Sequence, residues 1–61
     1  MDEIDKAVAA VKRADQRLHA ARSALRDAIR EALAGGERQV DIARRTGYTR
    51  EYIRRIARGD V

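Results

Sequence analysis

The stretch from Gln39 to Arg58 reads QVDIARRTGYTREYIRRIAR. Glycine divides it. Gly47 falls inside and Gly59 follows its end, so two short segments are predicted, Gln39 to Thr46 and Thr49 to Arg58. Glycine punctuates helices because it enters left-handed backbone conformations without a Cβ penalty. Spaced at ~100° per residue, the second segment has two faces. Thr49, Ile53, Ile56 and Ala57 cluster on one side. Glu51, Arg54, Arg55 and Arg58 point the opposite way, with Arg50 and Tyr52 on the flanks. An apolar face opposite a charged one is the pattern of a short helix lying on a core.

With these residues in these places, the stretch resembles the helix-turn-helix of bacterial and phage DNA-binding proteins, whose second helix enters the major groove. The resemblance covers about a third of the chain, or nearly half with a supporting helix. Ile42 and Ala43 stand at the fourth and fifth places of the motif, Gly47 at the ninth, Ile53 at the fifteenth and Ile56 at the eighteenth. The resemblance implies that Ala43 is small because the second helix crosses over it, and that Gly47 takes positive φ at the turn. It also implies that Ile42, Ile53 and Ile56 fill the space between these helices and the preceding one. Thr49 suits the N-cap of the second helix. One departure is the start of the first short helix, where Glu37-Arg38-Gln39 offers no Ser, Thr or Asp as a cap.

Upstream, the only strong break is Gly35-Gly36. From Asp2 to Ala34 there is no glycine or proline, and ten of those residues are alanine. This composition predicts one helix roughly 50 Å long at ~1.5 Å per residue. Asp2, Glu3 and Asp5 sit in its first turns, where negative charge favours the helix dipole. Gly35 is expected as the left-handed cap that ends it. The fold class is therefore all-α: a long N-terminal helix, then two short helices forming the helix-turn-helix. Residues 1–34 are expected to serve dimerisation, with their C-terminal turns also supporting the core, and residues 35–61 to form the DNA-binding unit.

The long helix carries a heptad stripe. Ile4, Val11, Leu18, Leu25 and Ala32 recur every seven residues, and Ala7, Ala14, Ala21 and Ala28 fall three residues after the first four. That spacing keeps a narrow apolar strip aligned along a supercoiled partner, and the small alanines let two backbones approach closely. A 27-residue remainder is too short to cover it, so a homodimer is expected through Ile4, Ala7, Val11, Ala14, Leu18, Ala21 and Leu25. A parallel pair would set Arg17 against Arg22. An antiparallel pair centred between Leu18 and Ala21 would set Asp15 against Arg22 twice, and charge leans that way. A parallel seam, or an interface close to the heads, could set the heads one DNA turn (~34 Å) apart, and an antiparallel seam further apart, at two turns or out of phase; the sequence leaves the spacing open. Towards its C-terminal end the face broadens to Leu25, Ala28, Ile29, Ala32 and Leu33, as for a helix packing on a globular core.

Charge is uneven. Residues 1–34 hold seven basic and six acidic side chains, net +1, whereas residues 35–61 hold seven and four, net +3. The C-terminal part is thus the candidate to face a polyanion such as double-stranded DNA. Thr49, Arg50, Glu51, Arg54, Arg55 and Arg58 are the candidates for base edges. Arginine can grip guanine O6 and N7 with two parallel hydrogen bonds. Glu51 is expected to pair with Arg55 rather than with a base. Arg38, Gln39 and Tyr52 are candidates for phosphate, and Arg50 on its flank suits phosphate as well. Arg44 and Arg45 read as solvated, and Tyr48 as a ring at the rim of the core.

Other chemistry is poorly supported. There is no cysteine, so no disulfide or thiolate metal site, and His19 is the only histidine. No metal, cofactor or small-molecule ligand is expected. Asp15, His19 and Ser23 align along one helix, but a smooth exposed helix offers neither a pocket nor oxyanion donors, so no enzyme is expected. No apolar run approaches a membrane span, and Met1-Asp2-Glu3 is not a basic leader, so a cytoplasmic, nucleoid-bound protein is expected. The leading expectation is a dimeric sequence-specific DNA-binding regulator or repressor. An architectural or bridging DNA-binding protein and a helical adaptor are the alternatives.

Overall fold

A computed structural model describes residues 2–61 as three helices, α1 (Glu3–Ala34), α2 (Gln39–Thr46) and α3 (Arg50–Arg58). Met1, counted above with the N-terminal segment, lies outside the described residues. The molecule measures 51 × 17 × 17 Å, a rod with a small head at one end. No helix among the described residues is long and apolar enough to cross a membrane.

Both ends of α1 are built by local chemistry. Asp2 is the N-cap rather than part of the helix, and its Oδ1 accepts the Asp5 N–H at 2.8 Å. At the other end the expected cap is displaced by one residue. Gly35 keeps a right-handed φ of −80°, while Gly36 takes φ 100°. The helix still ends at Ala34, but the left-handed position falls on Gly36, because the Glu37 N–H reaches back to the Ala32 carbonyl at 3.0 Å and the Gly36 N–H to Leu33 at 3.1 Å. That reciprocal pair requires its left-handed residue between the two donors' turns, and Gly36 supplies it.

The chain then folds back along the last turns of α1. Four isoleucines, one from α1, one from α2 and two from α3, make the core: Ile29, Ile42, Ile53 and Ile56 are 3%, 2%, 0% and 0% exposed. Ala32, Leu33, Ala43, Tyr48, Tyr52 and Val61 pack around them. Burying one such side chain stabilises by roughly 1.5–3 kcal/mol. The α2–α3 turn is tied twice. Gly47 holds φ 79° and donates its N–H to Ala43 at 2.9 Å, while the Thr46 hydroxyl donates to the Ile42 carbonyl at 2.8 Å and accepts the Tyr48 N–H at 3.1 Å. Tyr48 does sit at the core's rim, its ring edge-on to that of Tyr52 at 4.8 Å and 73°.

The rest of α1 stands alone. From Asp2 to Arg22 every residue except Ala9 is exposed, including Ile4 at 73% and Leu18 at 47%. The broadened face is only partly used by the head: Ile29 is buried and Ala32 and Leu33 half-buried, whereas Leu25 and Ala28 remain exposed. Ala57, expected on the inward face of α3, is exposed as well; it lies beside Arg30, Leu33 and Ala34 at the edge of the α1–α3 contact, beyond the isoleucine cluster.

Candidate nucleic-acid interface

The outward side of α3 is assembled from its caps up. Thr49 is extended, and its hydroxyl oxygen accepts the Tyr52 N–H at 3.1 Å. This starts the helix at Arg50 and leaves that oxygen engaged in the cap. At the far end the Asp60 N–H reaches the Arg55 carbonyl at 3.0 Å and the Gly59 N–H the Ile56 carbonyl at 3.0 Å. With Ile53 and Ile56 fully buried, the helix cannot turn about its axis without exposing them. Arg50, Glu51, Arg54, Arg55 and Arg58 are consequently all held outward, and all are exposed.

These side chains are not equivalent. Glu51 pairs with Arg54 at 2.6 Å, three residues on, and not with Arg55 as expected. Positions three and four residues on flank a helical side chain on either side, so one carboxylate takes one of them. The Arg54 hydrogen bond and charge, with smaller effects of Arg58 and Arg55, hold the Glu51 carboxyl below its ordinary range. Arg58 donates from Nε to Asp60 at 2.9 Å. Arg50 and Arg55 have no carboxylate partner among the described residues. Exposed pairs of this kind are worth ~0.2–1 kcal/mol, less than the ~1–3 kcal/mol by which a bidentate arginine–guanine contact discriminates between bases. A stronger hydrogen-bonding partner can therefore displace them.

The expected phosphate-contacting residues divide into two groups. Arg38 and Gln39 share an open groove with Arg50, between the start of α2 and the start of α3. Arg50 thus stands with Arg38 and Gln39 and apart from Arg54, Arg55 and Arg58. Tyr52 is half-buried against Tyr48 at the rim of the core. The first turn of α2 has no side-chain cap, as its sequence foreshadows. Instead Arg38 bonds Asp41 at 3.2 Å, and Arg44 approaches the other oxygen of Asp41 at 3.6 Å. Arg45 is not simply solvated: it grips both oxygens of Glu37 at 2.9 and 2.8 Å, tying the end of α2 to the α1–α2 connection.

Sequence-based reasoning does not single out Arg30, which sets the attitude of α3. Its Nε donates to the Ile56 carbonyl at 2.9 Å, one terminal nitrogen to the Val61 carbonyl at 2.9 Å and the other to Asp27 at 3.1 Å. It therefore satisfies a late carbonyl of α3 from a neighbouring helix, at the end where positive charge is favourable. The one signal is its place beside Ile29, and that becomes legible only when the position of α3 is known. Asp15 and His19 lie on the bare part of α1, and Ser23, half-buried, lies just beyond it. Comparison with protein families, curated proteins and solved structures finds no match for this chain.

Proposed function

We propose that this chain is a homodimeric, sequence-specific DNA-binding protein, a small regulator or repressor that lays α3 in the major groove of cytoplasmic, nucleoid DNA. What carries the reading is a short helix, pinned by two buried isoleucines and capped at both ends, whose outer surface presents Arg54, Arg55 and Arg58. A rigid element bearing arginines at its crest is what base-edge recognition needs. The groove with Arg38, Gln39 and Arg50 supplies positioning contacts to the phosphates. The bare stripe Ile4–Leu25 supports pairing with a second copy, since exposed apolar strips mark association surfaces.

A second reading has one observation in its favour. Arg54 and Arg58 are both engaged with carboxylates of the same chain, which suits an architectural protein that grips phosphates more than bases. Selection from random duplexes at physiological salt separates the two. A regulator recovers one short palindrome preferred over random duplex by ~10³-fold or more. Arg55→Ala then weakens binding to that site more than to random DNA. Equal losses on both, with a steep salt slope and no recovered site, would establish the architectural reading instead.

A further inference from the structure

The two ends of α1 are unfinished in complementary ways. At the free tip, Ile4, Ala7, Val8 and Val11 form an exposed apolar knob on a helix with nothing beside it. At the head, an open pocket of about 230 Å³ lies between α1 and α2, its apolar wall made by Leu25, Ala28, Ile29, Ala32 and Ile42 and the rest by Thr46 and the paired Glu37 and Arg45. For scale, an apolar cavity of ~150 Å³ is enough to take a benzene ring. The head of a single chain is therefore incompletely filled on the side where the stripe runs in.

We propose that two copies of this chain pair antiparallel along α1, the knob of each filling the cavity of the other. This rests on the homodimer reading above and adds its orientation, register and contents. Place Leu18 opposite the partner's Ala21, the centre the stripe suggests. Val11 then falls opposite the partner's Ala28, Ala14 opposite Leu25 and Ala7 opposite Ala32. The residues that reach the cavity are those of the knob, with no sliding of the register.

Charge selects the same arrangement. Asp15 meets the partner's Arg22 at two equivalent places. The acidic tip Asp2, Glu3 and Asp5 lies beside a head where Arg38, Arg44 and Arg45 outnumber the carboxylates of Asp41 and Glu37 that they pair with. A parallel pair would set that acidic tip against its own copy and Arg17 against Arg22. Like charges so placed are destabilising.

The pairing also sets where the two α3 helices go. The head does not extend beyond α1; the chain folds back, so its core is anchored at Ile29, Ala32 and Leu33. Those residues lie ten to thirteen positions from the centre of the pairing, which separates the two heads by roughly 30–40 Å at ~1.5 Å per residue. One turn of duplex is ~34 Å. Ile29 points roughly a quarter turn away from the midline of the stripe, at 3.6 residues per turn. The head thus lies to one side of the plane containing the two α1 axes. The twofold axis of an antiparallel pair is perpendicular to that plane, so both heads lie on the same side of it. One face of the dimer then spans adjacent half-sites.

The chain has no cysteine, which makes the test direct. Val11→Cys and Ala28→Cys are prepared separately; both positions are exposed, so neither disturbs the core. The two are mixed, allowed to exchange and oxidised. A disulfide needs its Cα atoms within ~7 Å, a condition met between the two variants in the antiparallel register, whereas a parallel pair holds these positions ~25 Å apart. The expected result is a mixed disulfide of doubled mass as the main product, with each variant alone remaining uncrosslinked. Val11→Cys crosslinked to itself would overturn the proposal in favour of a parallel pair. A dimer by sedimentation with no crosslink in the mixture would overturn it while leaving the homodimer reading intact. A monomeric mass would remove both.

Discussion

Replacing Arg30 by alanine isolates the contact that orients α3. The change deletes two charged hydrogen bonds to backbone carbonyls, from Nε to Ile56 and from a terminal nitrogen to Val61, each 2.9 Å long. Hydrogen bonds to charged groups contribute roughly 1.5–3 kcal/mol each when well shielded. The Arg30 side chain is 35% exposed, so water takes over part of each lost bond, and the Asp27 pair adds little. The expected net destabilisation is ~1–3 kcal/mol, or several degrees in Tm at ~4–8 °C per kcal/mol for a domain of this size. Urea and thermal unfolding followed by circular dichroism, at one fixed chain concentration, measure it; concentration matters because association stabilises the folded state. Arg30→Lys is the control. It keeps the charge and loses the planar fork, so it should recover less than half of the loss. A loss below ~0.5 kcal/mol for Arg30→Ala, the size of an ordinary surface change, would show that α3 is seated by its isoleucines alone.

Ile53→Ala removes a fully buried side chain from a four-residue core. At ~2–5 kcal/mol it should exceed what so small a head can lose, and the near-native helix signal of α2 and α3 should vanish from the amide NMR spectrum. Leu18→Glu puts a charge in the middle of the bare stripe and should halve the mass seen by sedimentation; an unchanged mass would show that Leu18 is not at the contact. Glu51→Gln releases Arg54 at neutral pH and should tighten binding to random duplex, with a steeper salt dependence. The sign with pH follows from the lowered Glu51 pKa: the pair is intact above the ordinary carboxylate range and lost as pH falls through the lowered native value. The parent protein should therefore approach the variant's DNA affinity at acid pH, and equal affinities at pH 7 would show that the pair does not restrain Arg54.

The three helices were legible because punctuation and periodicity agree in this chain. Gly47, Thr49 and Gly59 bracket α3 where the apolar spacing of Ile53 and Ile56 also places it. The buried isoleucines followed from the same spacing. Legibility failed where two neighbours compete for one role. Gly35 and Gly36 are adjacent, and only the backbone bond from Glu37 to Ala32 decides which of them turns left-handed. Arg54 and Arg55 are both in reach of Glu51, and helical periodicity does not choose between them. Arg30 and the Glu37–Arg45 pair depend on how the head folds back onto α1, information carried by no local pattern.

The solitary stretch of α1 from Asp2 to Arg22 has a thermodynamic consequence of its own. A helical stretch with no tertiary neighbour is held by its own backbone bonds alone and frays from its free end, even when rich in alanine. Cooperativity is therefore divided within one chain. In dilution the amides of this half should exchange with deuterium far faster than those of Ile53 and Ile56, and heating should fray the rod before the head melts. Its protection should climb with chain concentration, so that the molecule's stiffness becomes a gauge of its own abundance.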